Sequence, residues 1–591
     1  MNKRNDNIIR EVIKTKPNII SYIMHFCLLL FIFVLLFYTM KFFNMTFSIL
    51  LFELASNNIF HIIALSNILV WFAFYLILRG ITNKPRLSLA IVIGIEVVFD
   101  IINYVVLVIR GSGITLADIK AVQTALSVSH TTNFSFEARG LCGIVLLTVL
   151  LIVFIIARKL FVVVKDNWKI RCVKIISGVL ILFALSISNV YKTYIIWDIN
   201  ETYRVLGTPL TLLRMFQDIY VKVPDGYDKD ESEAFLKSYE SSIESQESTS
   251  EDPNIVVIIN ESFCDYYHIY NEGYTDPIPY FTELSNSNNV ISGTVYSSSF
   301  GGQTSNIEYE FLTQNSIRIL PVGSYMFQQY ITKPVSSSLV SSLKQRGYKT
   351  SAIHPWESFA YSRDKIYRLF GFDNIKFKND IEELKPNFNN VFPDDRSTYT
   401  ELISQINQKK PDEKIFEYVL TVQNHIGFNN PDPNQITYHD DNTTNVYLQL
   451  IHESSEALRE VIEELEKKDE KYILLFFGDH QPNMDGGNNY KTRGIEHYET
   501  PFVIWANYDI EEKHNIKTST IFLQNYLLEA AGLPKTAMNN YINTLMKDYD
   551  AITPMYCIDS NGKVLREEDY RTDDKLLQYN RIDYYRAFDM D

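Results

Sequence analysis

Five apolar runs, over residues 19–38, 59–78, 87–109, 141–157 and 175–191, fill the first third of the chain. A bilayer core about 30 Å thick takes roughly 20 helical residues at 1.5 Å rise each, so these runs predict five membrane-spanning helices within residues 1–191. The first run exceeds the 7–15 apolar residues of a cleavable signal and four more follow it, so it is expected to stay in the membrane. Cations flank the runs unevenly. Lys3, Arg4, Arg10, Lys14 and Lys16 precede the first, Arg79, Lys84 and Arg86 lie between the second and third, and Arg158, Lys159, Lys165, Lys169, Arg171 and Lys174 lie between the fourth and fifth. An excess of Lys and Arg marks cytoplasmic segments. These three segments, the N-terminus among them, are therefore expected in the cytoplasm, and an odd number of spans puts everything after residue 191 outside. Residues 45–57 are apolar but too short to span, and read as an interfacial or re-entrant piece. Glu96 and Asp100 interrupt the third run. Acids are costly in lipid, so they are expected to face the bundle interior or a polar head group, or else to be satisfied acids on one helix turn with no ligand.

The net charge of -15 over 591 residues hides two different parts. Residues 1–191 carry 18 Lys and Arg against 8 Asp and Glu, and residues 192–591 carry 37 against 62. A strongly acidic outer portion does not suit nucleic acid, whose binding needs a basic face. Of five cysteines, Cys27, Cys142 and Cys172 lie in or beside the apolar runs, leaving Cys264 and Cys557. Two cysteines build no disulfide framework, so the outer portion must be held by its own core. Residues 192–252 divide into a mixed apolar and charged stretch to about residue 224, suited to amphipathic helices lying along the membrane surface, and an acidic, Ser-rich linker, SYESSIESQESTSEDPN, too polar to order itself. The remainder divides into a domain over 253–560 and a C-terminal tail over 561–591.

The outer domain reads as α/β. Buried-strand runs NIVVIIN at Asn254, TSAIHP at Thr350, FEYVLTVQNH at Phe416, YILLFFGDH at Tyr472 and TPFVIWAN at Thr500 alternate with helical patterns over 335–346, 445–468 and 520–531. Continuous apolar strands alternating with helices predict a mostly parallel sheet between helices. In such a sheet ligands bind beyond the carboxyl ends of the strands. The polar residues standing there are Glu261, His354, His425, Asp479 and His480, and a Gly-rich turn, FGGQTSNIEYEFLT, adds Thr304 and Ser305. Glu261, Asp479, His480 and the Thr304 hydroxyl form an oxygen-rich set with one imidazole, which suits Mn²⁺, Mg²⁺ or Zn²⁺ better than copper or an iron–sulfur cluster. A metal beside a hydroxyl lowers its pKa and makes threonine a competent nucleophile. Each piece alone also has a bland reading: an acid after a strand can be a helix N-cap, and GGQTS a turn.

The segments NES after the first strand, GGQTSNIEYEFLT, HPWESFAYSRDKIYRLFGFD, NHIGF and FFGDHQPN resemble the lipoteichoic acid synthase family of membrane sulfatase-like enzymes. The resemblance implies an alkaline phosphatase/sulfatase-like fold tethered by five helices. It implies transfer of phosphoglycerol from phosphatidylglycerol through a phosphothreonine, with release of diacylglycerol, usually with bound Mn²⁺, Mg²⁺ or Zn²⁺ being the alternatives. It makes Thr304 the nucleophile, Glu261, Thr304, Asp479 and His480 the metal ligands, and His354, Tyr361, Arg363 and His425 the substrate-binding set. Arg363 offers a planar fork to phosphate, and His425 or His354 is expected to protonate the leaving oxygen. Tyr361 stands where the synthases commonly carry Trp. The implied partners are a phosphatidylglycerol donor in the bilayer and a cell-surface glycopolymer or glycolipid acceptor. The sequence leaves two alternatives: a phosphoethanolamine transferase or sulfatase-like hydrolase on the same scaffold, and a non-catalytic surface-polymer sensor.

Overall fold

The computed structural model describes residues 19–44, 58–110, 113–114, 138–157, 165–188, 199–217, 221–240, 251–321, 323–389, 392–484, 494–566, 569 and 572–590. The short apolar piece at 45–57, the N-terminal cations and most of the acidic linker lie outside the described residues. The chain forms two compact units: residues 1–107 with 134–219, and 108–133 with 220–591.

The first unit is helical. Its long helices are Ile19–Asn44, Asn58–Thr82, Pro85–Arg110, Ala138–Ala157 and Trp168–Ile187. Four of them are long and apolar enough to cross a membrane, and the fifth, Ala138–Ala157, has a shorter apolar stretch at Gly140–Ile156. The last helix begins earlier than its apolar run because the Asn167 side chain caps it and it continues through Lys169, Arg171 and Lys174. Helices pack closely where glycines allow it: a Cβ on Gly178 would lie 2.6 Å from the Ala73 carbonyl oxygen, and one on Gly80 2.7 Å from that of Arg171, the small-residue contact by which helices approach in lipid. Arg79 and Lys174 both pair with Asp166, at 3.0 and 2.6 Å, so two of the cationic segments meet at one end of this unit.

Glu96 and Asp100 are buried inside the unit. The Thr208 hydroxyl donates to Asp100 at 2.5 Å, the Asn67 amide donates to the Leu206 carbonyl at 2.7 Å, and Lys41 donates to the Arg204 and Val205 carbonyls at 2.6 and 2.9 Å. These bonds hold the short helices Ile199–Leu206 and Thr208–Gln217 against the long ones, with Leu206, Thr208 and Leu210 buried in the same unit. Gly207 makes this possible, because its φ of +78° turns the chain and a Cβ there would meet Met40 Cε at 2.4 Å.

The second unit is built on an eight-stranded sheet of β1 Asn254–Asn260, β2 Val290–Tyr296, β3 Lys349–His354, β4 Asn374–Phe377, β5 Ile415–Leu420, β6 Tyr472–Gly478, β7 Glu499–Ala506 and β8 Lys513–Ser519. The spatial order is β4-β3-β5-β1-β6-β7-β2-β8. Only β7 runs antiparallel to its neighbours, β6 and β2. The central strands are wholly buried, so both faces are covered: Val257, Ile259, Leu475 and Phe477 point into one core, and Val256, Ile258, Leu474 and Phe476 into the other. The helices start and stop where caps dictate. Leu339–Gln345 begins only after Ser338, which forms a capping box with Ser341. Asn442–Glu466 begins at the Asp441 cap, and the first turn of the helix expected at 520 is 3₁₀, over Thr520–Phe522. The C-terminal residues form the helix Asp574–Tyr584, whose Tyr579 hydroxyl donates to the Gln314 carbonyl at 2.8 Å.

Candidate active site

The parallel register puts Asn260 at the end of β1 beside Gly478 at the end of β6. Glu261 and Asp479 therefore leave the sheet side by side, as acids following neighbouring strands must. Gly478 is required at this junction: a Cβ would lie 1.9 Å from the Phe263 carbonyl oxygen. The Asp479 Oδ1 atom accepts the backbone N–H groups of Ser262 at 2.7 Å and His480 at 2.8 Å. Its Oδ2 has no hydrogen-bond partner, although it is buried, and stands 3.3 Å from His480 Nε2. His480 Nδ1 is 3.0 Å from the Gln481 carbonyl, which can only accept, so Nδ1 carries the proton and Nε2 offers a lone pair.

Thr304 opens the helix Thr304–Thr313. Its hydroxyl lies 3.4 Å from His480 Nε2 and 3.5 Å from Glu261 Oε2. One ligand atom each from Glu261, Asp479 and His480 lies within 4.8 Å of the others, and all three residues are buried. An orphaned carboxylate oxygen, an imidazole lone pair, a second carboxylate and a hydroxyl converging on one point fit a divalent cation. Burial, and then the facing Asp479 carboxylate, push the Glu261 carboxyl well above its usual range, a repulsion that a cation would relieve.

The second half of the site is built on Arg363. Its guanidinium is buried, donating from Nε at 2.9 Å and Nη2 at 2.7 Å to the Glu308 carboxylate. Nη1 is 3.3 Å from His354 Nε2, and the Tyr361 ring lies 4.9 Å from the guanidinium carbon. Two sequence expectations change here. The Nε–Nη2 edge of Arg363 is taken by Glu308, which leaves the Nη1–Nη2 edge as its second fork. His354 Nδ1 is 3.1 Å from the Leu420 carbonyl, so its proton sits there and Nε2 accepts from Arg363. Burial first, and then Arg363, hold the imidazole well below its ordinary pKa, so His354 orients Arg363 and has no proton to give a leaving oxygen. His425 is partly exposed beside Phe392, with ring centroids 5.0 Å apart. Desolvation pushes its pKa down to about 4, which makes it a neutral proton acceptor near pH 7.

Strained backbone surrounds these groups. Ser262, Gln303, Tyr361 and Ser362, each one or two residues from a candidate side chain, have φ of 52°, 68°, 53° and 60°, and such conformations persist where surrounding structure enforces them, often at functional sites. Two supports went unseen in the sequence. One is Glu308, one helix turn after Thr304. The other is a buried network in which Asp395 Oδ2 accepts from Asn260 and from Ser454, both at 2.7 Å, Asn424 donates to Asn260 at 2.9 Å, and the Thr421 hydroxyl accepts the Glu261 N–H at 3.1 Å. It ties the loops bearing Glu261 and His425 to the helices Asp395–Gln408 and Asn442–Glu466.

The family model described as Sulfatase matches residues 253–533, which carry every one of these side chains. Residues 253–533 are a sulfatase-family domain. The chain is 27% identical over 398 residues to a protein of Rhizobium meliloti (strain 1021) named for cyclic beta-1,2-glucan modification, a match covering 62% of this chain and 59% of that protein. It is 26% identical over 246 residues to lipoteichoic acid synthase 1 of Bacillus subtilis (strain 168), covering 40% of this chain and 37% of the synthase. The chain thus spans under two thirds of the length of either relative. The Streptococcus pyogenes phosphoglycerol transferase GacH, solved in complex with sn-glycerol-1-phosphate, matches with a TM-score of 0.51 at 18% identity over 62% of this chain and 94% of that chain. That likeness shows the shared alkaline phosphatase-like fold of the second unit, joined in this chain to an apolar helical unit.

Proposed function

We propose that this chain is a membrane-anchored, metal-dependent transferase that moves phosphoglycerol from phosphatidylglycerol to a cell-surface glycopolymer or glycolipid. The observation that carries the reading is the Thr304 hydroxyl at a helix N-terminus, 3.4 Å from His480 Nε2 and 3.5 Å from Glu261 Oε2, in a site that also holds Arg363. A phosphoryl transfer asks the protein for an in-line nucleophile and for compensation of charge on the phosphate oxygens, with little covalent work besides. Thr304 supplies the nucleophile, and the N–H groups opening its helix favour an anion in front of it. Arg363 supplies donors from its Nη1–Nη2 edge.

Glu261, Thr304, Asp479 and His480 would hold the divalent ion, Mn²⁺ before Mg²⁺ or Zn²⁺, which lowers the pKa of a hydroxyl and screens phosphate charge. In the first transfer the Thr304 oxygen bonds to phosphorus, the bond from phosphorus to the diacylglycerol oxygen breaks, and the Thr304 proton ends on the departing diacylglycerol. In the second an acceptor hydroxyl displaces Thr304 and returns a proton to it. His425, partly exposed and with a pKa of about 4, would hold such a proton only transiently and hand it on to the leaving oxygen. A carbohydrate acceptor is favoured because the relative named for glucan modification matches over 62% of the chain.

The tether fits a donor that cannot leave the bilayer, and the cationic segments support an N-terminus in the cytoplasm with the catalytic unit outside the cell. The test is donor selection. The full chain in vesicles with headgroup-labelled phosphatidylglycerol or phosphatidylethanolamine should release diacylglycerol from the first alone. Turnover of phosphatidylethanolamine instead would make it a phosphoethanolamine transferase, and a metal-free chain without turnover would make it a sensor.

A further inference from the structure

We propose that Glu308 sets the charge class of the substrate, making the site select a singly charged phosphodiester over a doubly charged phosphomonoester. The inference rests on the phosphoryl-transfer reading above and names a specificity-determining residue within it. Glu308 stands four residues after Thr304 on the helix Thr304–Thr313, on the same helix face, and is wholly buried. Its Oε1 accepts from Arg363 Nε at 2.9 Å and Nη2 at 2.7 Å. Its Oε2 accepts from the hydroxyls of Tyr367 at 2.5 Å and Tyr418 at 3.3 Å. Two oxygens with two donors each leave no lone pair for a proton or a metal. Glu308 is thus neither a general base nor a ligand, and whatever it does at the site passes through Arg363. It is a positioning residue.

Two consequences follow from that contact. The first is directional: with Nε and one Nη2 hydrogen committed to Glu308 and Nη1 shared with His354, the guanidinium is fixed in plane and presents a single edge. The second is electrostatic. A buried carboxylate at 2.7 Å balances the guanidinium charge, and at low effective dielectric that balance is strong. Arg363 therefore keeps its hydrogen-bond donors while much of its positive field is cancelled. Donors without a surplus charge suit an oxygen of a phosphodiester, which carries one negative charge. They do not compensate the second charge that a phosphomonoester acquires above a pKa of about 6. A free arginine would serve both.

The experiment uses the full chain in detergent with Mn²⁺ and two probes, bis(4-nitrophenyl) phosphate and 4-nitrophenyl phosphate, at about pH 8, where the monoester is doubly charged. The ratio of kcat/KM for diester over monoester should fall about tenfold in Glu308→Gln, equivalent to about one pKa unit of differential interaction, while circular dichroism confirms folding. An equal loss on both probes, with the ratio unchanged, would mean a purely structural role and would overturn the proposal. Should the Gln chain not fold, the unaltered chain decides by calorimetry. Its Kd for glycerol 1-phosphate, divided by that for the methyl diester of glycerol phosphate, should rise about tenfold from about pH 5.5 to about pH 8, and a constant ratio overturns the proposal. A chain that turns over 4-nitrophenyl sulfate and binds neither phosphate ester would refute the phosphoryl-transfer reading itself, an outcome distinct from an unchanged ratio.

Discussion

Replacing Gly478 by alanine is expected to take the candidate metal site apart without touching any of its ligands. Gly478 ends β6 one residue before Asp479, and its Cα faces the backbone of the loop after Glu261. An added Cβ would lie 1.9 Å from the Phe263 carbonyl oxygen, whereas a carbon–oxygen contact settles at about 3.3 Å, so the two strand ends must part by about 1.4 Å. The atom in the way is backbone, not the end of a flexible side chain, and β1 and β6 are paired along seven residues up to this point. Asp479 and His480 would move with one strand and Glu261 with the other. Metal sites hold their distances to about 0.2 Å, so a shift of this size should lower metal affinity at least about 100-fold. The assay is a calorimetric Mn²⁺ titration of the full-length Gly478→Ala chain, with Gly94→Ala as control, since nothing lies within 4 Å of a Cβ at Gly94. A Gly478→Ala affinity within threefold of the unaltered chain would refute the claim that these two strand ends build the site.

Chelation should abolish transfer, and Mn²⁺ restored at 100 times its Kd should raise the stability of the catalytic unit by about 2.7 kcal/mol, read as a shift in its urea midpoint. Tyr361→Ala, which removes the ring over Arg363, should lower kcat/KM about fivefold, corresponding to about 1 kcal/mol of lost cation–π contact, while Tyr361→Trp should retain activity. Burial raises the Glu310 carboxyl from 4.5 to about 7, so the folded chain binds more protons than the unfolded one between those values and stability falls as pH rises through them. Glu310→Gln should flatten the decline in urea stability between about pH 5 and about pH 8, by at most about 3 kcal/mol, and an unchanged decline would mean another group is responsible.

The strands that the sequence makes legible are those buried on both faces. NIVVIIN, YILLFFG and the runs at Thr350, Phe416 and Thr500 have no polar face to present, and they became β1, β6, β3, β5 and β7. The edges were not legible for the opposite reason. β4 has four residues, and β8 reads KHNIKTS because one side of it meets solvent. β2 was hidden by Gly293, which looks like a break but is demanded by the Ile516 carbonyl oxygen 1.9 Å from where a Cβ would stand.

Glu261, Asp479 and His480 were readable because they follow apolar runs, and Thr304 because it stands in a Gly-rich turn. Arg363 and Tyr361 follow no such run, and only the family resemblance picked them out. Glu308 gave no signal, since within NIEYEFLT it looks like any helical acid. Its meaning lies in a contact with a residue 55 positions away. The Asp395 network is hidden in the same way, its members drawn from β1, the loop after β5 and two helices. Nor does composition reveal that the C-terminal helix braces the end of the Thr304 helix, where Arg586 donates to the Thr313 carbonyl at 2.7 Å and Asp583 accepts the Ser316 N–H at 3.1 Å.

The central claim is that Thr304 carries the transferred group. Its most direct measurement is mass spectrometry of the peptide containing Thr304 after the metal-loaded chain has met phosphatidylglycerol with the acceptor withheld. The account predicts a phosphoglycerol group on Thr304 together with an equal amount of diacylglycerol released, and neither from Thr304→Ala. Full transfer by Thr304→Ala, or turnover with Thr304 unmodified throughout, would contradict it.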